Sequence, residues 1–459
     1  DLKRLQQKET IKRYQFINDV LKVGMTIDQS IAKDFRAQLD RVLTHKFWGY
    51  VIFFCILFGI FQSIFVWSEV PMDFIDSSFA SLSAWSAEVL PAGMLTNLIS
   101  QGIIPGIGGI LIFIPQIAFL FLFISILEES GYMSRVVFLM DKIMSKFGLS
   151  GKSVVPLVSG TACAIPAIMA TRNIENWKER LIAILVTPFT TCSARLPVYA
   201  IIIGLVIPDQ RILGIFNLQG LTLMLLYLLG FGMAIFSAYV LNKILKIKGK
   251  SYFIVEMPNY KLPLFKNVGI NVIEKTKAFV FGAGKIILAI SIILWFLASY
   301  GPGENFSNAE QIVVSKHADK PLSETELENE VASQKLENSY IGLMGKSIEP
   351  VLTPLGYDWK IGIAIISSFA AREVFVGTLA TIYSVGDTDN EDTIKNKMQS
   401  EINPLTGEKV FNFASGISLL LFYAFAMQCV STLAVTRKET NSWKWPLGQL
   451  IFMSAFAYT

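Results

Sequence analysis

Six runs of apolar side chains set the terms for this chain: residues 47–67, 103–127, 181–207, 213–240, 278–297 and 413–435. Each approaches or exceeds the roughly 20 residues that carry a helix across a bilayer. Hydrocarbon offers backbone N–H and C=O groups no partners, so a spanning segment must satisfy its own. The fold class these runs predict is an all-α polytopic membrane protein. A hydrophobic content of 53% over 459 residues and a mean hydropathy of +0.50 agree, since a soluble domain of that composition is unusual.

Two stretches break the pattern. SGTACAIPAIMATR (159–172) holds Cys163 between Gly160 and Pro166, and TPFTTCSARLPVY (187–199) holds Cys192 between Pro188 and Pro197. Interrupted helices in lipid are tolerated where the opened backbone lies in protein or lines a cavity, which is how transporters build ion sites near the midplane. For one stretch alone, the plainer reading is a kinked helix with cysteine as a small packing residue.

Charge gives the sides of the membrane, since basic loops stay in the cytoplasm. Residues 1–44 carry nine Lys or Arg and six Asp or Glu, and 68–102 have four acidic residues and no basic one. The first segment is predicted cytoplasmic and the second external. If 153–171 crossed, 172–180 and 241–277 (eight Lys, two Glu) would both lie outside; a re-entrant segment puts both inside. Residues 300–345 hold eight acidic and three basic side chains, whereas 436–445 hold three basic and one acidic. Only a re-entrant 361–384 makes the first external and the second cytoplasmic.

The two halves also align. Residues 152–165 set against 360–373 match Lys152 with Lys360 and Ser159 with Ser367; further on, Cys192 falls against Cys429 and Leu196 against Leu433. With opposite charge topology, this predicts two inverted gate-type repeats with re-entrant or broken helices. The predicted organisation is a cytoplasmic helical linker at 1–44 and a first transmembrane half at 45–300, with its gate repeat at about 128–207. An external acidic loop at 301–345 and a second gate repeat at 346–459, ending in the start of a last span, complete it.

Several chemistries are set aside by the residues. GLSGKS (148–153) lacks the Gly that a phosphate loop needs at residue 146, which is lysine. His45 sits at a membrane edge and His317 in the external loop, so a base for a membrane-embedded enzyme is missing. Cys55 lies in an unbroken run and reads as packing. Cys163, Cys192 and Cys429 remain as soft ligands that favour late first-row divalent metals over Mg²⁺ or Ca²⁺. Glu373 is an ionisable group at predicted membrane depth, where charge is costly and functional by default, with a pair to Arg372 as the plainer reading. Glu128 and Glu129 read either as an anchored surface pair or as a cation-gathering vestibule, and Arg195 as the counter-ion of a nearby carboxylate.

LEESGYMSRVVFLMDKIMSKFGLSGKSVVPLVSG..C..PAIMATR, then TTCSARLPVYA, AREVFVGTLATIY and MQCVSTLAVTRKETNSWKW together resemble the membrane region of the FeoB family of prokaryotic ferrous iron transporters. The resemblance runs from about residue 39 to the end. It implies Fe²⁺ uptake across the cytoplasmic membrane, with Cys163, Cys192 and Cys429 at the family's cysteine positions. It implies an N-terminal GTP-binding domain, which would hold the GTP and Mg²⁺, with residues 1–44 as its remnant linker, and no enzymatic activity in the chain itself. Ala162 departs from the pattern, since many relatives carry a second Gly before the Cys. The expected ligand set is Cys163, Cys192 and Cys429, helped by Glu373 and the hydroxyls of Thr191 and Ser193, in a partial shell that can release its ion. Expected partners are the lipid bilayer, the GTPase domain, a small FeoA-like cytoplasmic protein and further copies of the chain, with no nucleic acid. The alternative is a transporter of another divalent metal or a nucleoside on the same gate-type fold; a nucleoside would call for stacking aromatics and amides at the hairpin tips.

Overall fold

The structure is a computed structural model. It describes the chain except residues 1–8, 10–11, 22–34, 92, 209, 213–215, 246–259, 317–323, 370–371, 373, 383–397, 399–408 and 428. Two compact units divide at residues 55 and 56. The first holds helical residues 12–21 and helix α1 (Phe35–Leu43).

Among the described residues, six helical stretches are long and apolar enough to cross a membrane. Helix α2 (Trp48–Val89) is the longest, at 42 residues. The apolar run ends near Trp67, yet the helix continues through Pro71 and the polar residues beyond it. At about 1.5 Å per residue it is about twice the ~30 Å of a hydrocarbon core, so the segment expected outside begins as a helical extension. Helices α3 (Ile104–Leu111) and α4 (Ile114–Glu129) follow a π-helical turn at Leu98–Ile103 and are parted just before Pro115. Helix α5 (Tyr132–Met144) leaves from Gly131, whose φ of 79° suits a residue without a Cβ.

The first gate segment is two short helices, α6 (Val154–Ser159) and α7 (Ala164–Ala170). The next apolar run is also cut: α8 (Trp177–Val186) gives way to extended backbone at Thr190 and Cys192 before α9 (Leu196–Val206) resumes. Uninterrupted α10 (Leu218–Ile244) follows, after a two-residue antiparallel ladder pairing Arg211 with Asn217 and Ile212 with Phe216. Helix α10 leaves Leu225, Leu228 and Phe236 more than half exposed, a surface suited to lipid rather than water. Helices α11 (Phe265–Phe279) and α12 (Lys285–Ser299) are joined by a second π-helical turn.

The acidic loop is mostly helical where described, with α13 (Glu324–Glu337), and Ser333 Oγ donates to the Ile382 carbonyl at 2.7 Å. Helix α14 (Tyr340–Leu352) leads to α15 (Trp359–Ser368) and α16 (Val374–Ile382), parted as α6 and α7 are. Then α17 (Phe413–Phe425) and α18 (Val430–Thr440) repeat the break of α8 and α9, and α19 (Lys444–Tyr458) ends the chain. Tyr199, Ile202, Ile361, Phe375, Leu379, Leu419 and Tyr423 form one buried core between α9, α15, α16 and α17. A second core joins Ile110, Ile117, Ile165, Ile184, Phe279 and Val435.

Candidate functional site: a cavity at four helix breaks

Each of the three gate cysteines occupies the residue just before a helix starts, in extended backbone. Cys163 (φ −156°, ψ 132°) precedes α7, Cys192 (φ −90°, ψ 163°) precedes the turn that opens α9, and Cys429 (φ −155°, ψ 102°) precedes α18. The prolines at 166, 188 and 197 lack the N–H that a continuous helix would use, which keeps these segments open.

The opened backbone is tied across between breaks. In the first half Ser193 donates to the Ala162 carbonyl through its N–H at 3.4 Å and its hydroxyl at 2.9 Å. In the second half the Val430 N–H donates to the Phe369 carbonyl at 3.1 Å. In both halves, then, the residue after the cysteine reaches the break of the preceding gate segment. Gln116 of α4 adds a bond from Nε2 to Ser193 Oγ at 3.1 Å.

These breaks surround a cavity of about 100 Å³ lined by Cys163, Cys192, Cys429, Ser193, Gln116 and Arg372 among others. Apolar walls come from Phe113, Ile117, Ile165 and Phe279. None of the four cysteines forms a disulfide, and Cys55 is exposed on its own helix. Among the described residues, no three His, Cys, Asp or Glu side chains come together closely enough to hold a metal ion. The thiols thus face one space without closing round one point.

Thr191 is turned away. Side chains alternate along extended backbone, so Thr190 and Cys192 line the cavity while Thr191 is buried on the other side. A Cβ on Gly230 of α10 would lie 2.9 Å from Thr191 Oγ1 and from the Phe189 carbonyl, so α10 packs on this break because residue 230 is glycine. Gly160 is equally constrained: its Cβ would meet Thr190 Oγ1 at 2.3 Å. Glu373 lies outside the described residues. Arg195, expected beside a carboxylate, has none among the described residues; its Nη2 donates to the Pro188 carbonyl at 3.2 Å. Glu129 accepts from Asn267 Nδ2 at 3.2 Å, an anchoring contact.

Two further cavities lie along the helices that lead away from the central one. One of about 400 Å³ shares Ile165 and Phe279 with it and is lined by Arg172, Arg437, Lys438 and Glu439. Another of about 700 Å³ is lined by Glu310, Glu328, Lys335 and Thr381. Helices α7 and α18 run from the thiol cavity to the first of these, and α16 starts two residues past Arg372 of the thiol cavity and reaches Thr381 at the second. Beside the 400 Å³ cavity the buried Glu439 carboxylate accepts from Arg172 Nε at 3.0 Å and Arg180 Nη2 at 2.7 Å. The hydrogen bond to Glu439 holds the Arg172 guanidinium above its ordinary value. Gln116 and Glu439 escaped sequence reasoning, and Arg372 was read there only as a partner for Glu373; a lone Gln inside IPQIAFLFLF was the available signal for the first.

A family model described as "Gate: Nucleoside recognition" matches residues 110–206 and 280–443, and one described as "Ferrous iron transport protein B C terminus" matches 223–275. The chain belongs to the FeoB family. It is 45% identical over 452 residues to the "Fe(2+) transporter FeoB" of Leptospira interrogans, covering 98% of this chain and 62% of the relative. It is 36% identical over 455 residues to that of Staphylococcus aureus, covering 97% and 61%. A "Fe(2+) transport protein A/Fe(2+) transporter FeoB fusion protein" of Porphyromonas gingivalis is 35% identical over 459 residues, covering 98% and 53%. The chain spans less than two thirds of the length of these FeoB relatives. No solved structure matches it. With six stretches long and apolar enough to span among the described residues, this FeoB-family chain is a multi-pass membrane protein.

Proposed function

We propose that the protein passes Fe²⁺ across the cytoplasmic membrane through the thiol cavity. The observation that carries this reading is that Cys163, Cys192 and Cys429, from three separate helix breaks, line one small cavity. The cation collects beside Glu310 and Glu328 in the 700 Å³ vestibule, sheds water among the thiols and leaves through the 400 Å³ cavity. Binding sulfur displaces the thiol proton, and an unclosed ligand set favours passage over capture. Ser193 and Glu373 complete the proposed set with oxygen; Thr191 supports the break instead.

The reading includes inverted repeats, with the N-terminus in the cytoplasm. Helices α7 and α16, matched in the two halves, leave the central cavity toward different outer ones, which supports that symmetry. A GTP-binding domain biases the two states, and a small FeoA-like protein is the cytoplasmic partner; the Porphyromonas gingivalis relative's fused name supports the latter.

A nucleoside is the second reading, favoured by the matched model's description and by Phe113, Phe279 and Gln116 on the cavity wall. The cavity's 100 Å³ is below the ~300 Å³ where small-molecule pockets begin, which favours an ion. The test is anaerobic Fe²⁺ uptake into proteoliposomes. Cys192→Ser and Cys429→Ser should each slow it at least about tenfold, equivalent to ~1.4 kcal/mol of barrier, with Cys55→Ser unchanged. Nucleoside uptake without Fe²⁺ uptake would replace this reading with the second.

A further inference from the structure

Two arginines are buried near the thiol cavity: Arg372 lines it, and Arg195 directly follows its wall residues Cys192, Ser193 and Ala194. Arg195 is 0% exposed and Arg372 is 5% exposed. They are close enough for each charge to bear on the other. Arg195 spends one hydrogen bond, from Nη2 to the Pro188 carbonyl, and Arg372 one of 3.4 Å from Nη2 to the Ala426 carbonyl. Among the described residues, Arg195 Nε and Nη1 and Arg372 Nη1 have no acceptor, and neither arginine forms a salt bridge. The buried Tyr199 and Tyr423 hydroxyls make no hydrogen bond of good geometry, each having only a looser approach to Thr191 and Ser368 respectively, and both lie within the electrostatic reach of Arg372.

This is a nest of donors with two like charges. Burying one unpaired charge is already expensive, and a second of the same sign adds repulsion. A guanidinium cannot shed its proton to escape that cost. The arrangement therefore calls for a negative charge, and Arg372 faces a space into which a small ion fits.

We propose that Arg195 and Arg372, with the Tyr199 and Tyr423 hydroxyls, form a binding site for one small monovalent anion of halide size beside the thiol cavity. The unpaired guanidinium N–H groups donate to the anion. Its charge offsets the field that the two arginines would otherwise present to an approaching divalent cation, so anion and cation occupancy reinforce one another. A seat for one halide between these donors leaves no room for a six-carbon anion such as gluconate.

The experiment uses the purified protein in detergent without metal. Chloride or bromide replaces gluconate at constant ionic strength, and the thermal unfolding midpoint is followed. A ligand that binds only the folded state raises the midpoint with a logarithmic dependence on concentration above its Kd. The expected result is such a rise for both halides, absent in gluconate. Arg372→Lys, which keeps the charge but loses the planar fork, should shift the half-effect concentration at least about tenfold higher. A midpoint indifferent to halide in the wild type overturns the proposal, with no variant needed. So does a halide effect seen only in Glu373→Gln, which would mean that the chain's own carboxylate fills the seat. Iron appears nowhere in this measurement, so its failure leaves the transport reading standing.

Discussion

Replacing Glu439 with Gln is the most informative perturbation away from the thiols. The carboxylate is 3% exposed and holds two arginines, one 45% and one 23% exposed. It ties the segment just after α7 to the end of α18, the two helices that lead from the thiol cavity to the 400 Å³ cavity. Breaking one side of a fully buried pair costs about 3–5 kcal/mol. Here Arg172 can turn toward water once released, and Gln retains one carbonyl acceptor, so the expected loss is roughly 2 kcal/mol, near the worth of one charge-assisted hydrogen bond. Unfolding of the purified protein in mixed micelles of rising denaturing detergent would read it. An Arg172→Gln partner variant should then show a coupling of at least about 0.5 kcal/mol. A Glu439→Gln protein within about 0.5 kcal/mol of wild type would refute the clamp.

Gly160→Ala should lower stability by about 1–3 kcal/mol, the ordinary cost of overpacking, because its Cβ meets Thr190 Oγ1 at 2.3 Å and the Leu157 carbonyl at 3.2 Å. The same unfolding assay checks it, and a neutral substitution would show that the two breaks are looser than described. Gly230→Ala should act likewise through Thr191 and Phe189. Glu175 carries a pH prediction: its carboxyl lies below the ordinary 4.5, first through the hydrogen bond from Lys152. A depressed folded value adds stability above 4.5 that is lost as pH falls through the folded value. Glu175→Gln should remove that acid-limb slope from the unfolding profile, and an unchanged profile would dismiss the contact.

Much of this was legible in the sequence because lipid leaves the backbone so few choices. Gly160, Pro166, Pro188 and Pro197 mark the first-half breaks, and alignment of Cys192 with Cys429 pointed to the second. The side chain of Thr191 was not legible, because its direction depends on whether the break is extended or helical, and only extended backbone sends Thr190 and Thr191 to opposite sides. The helical extension past Trp67 was hidden because polarity reports solvent contact, and a helix can continue into solvent. Glu439 read as one acidic residue in a basic loop. Its two arginine partners lie 259 and 267 positions earlier, beyond any local pattern.

Iron K-edge absorption of Fe²⁺-loaded protein, prepared without oxygen, tests the central claim most directly. The account predicts sulfur among the nearest neighbours of iron, giving way to oxygen in the Cys192→Ser, Cys429→Ser double variant. A first shell of oxygen and nitrogen alone in the wild type would contradict it.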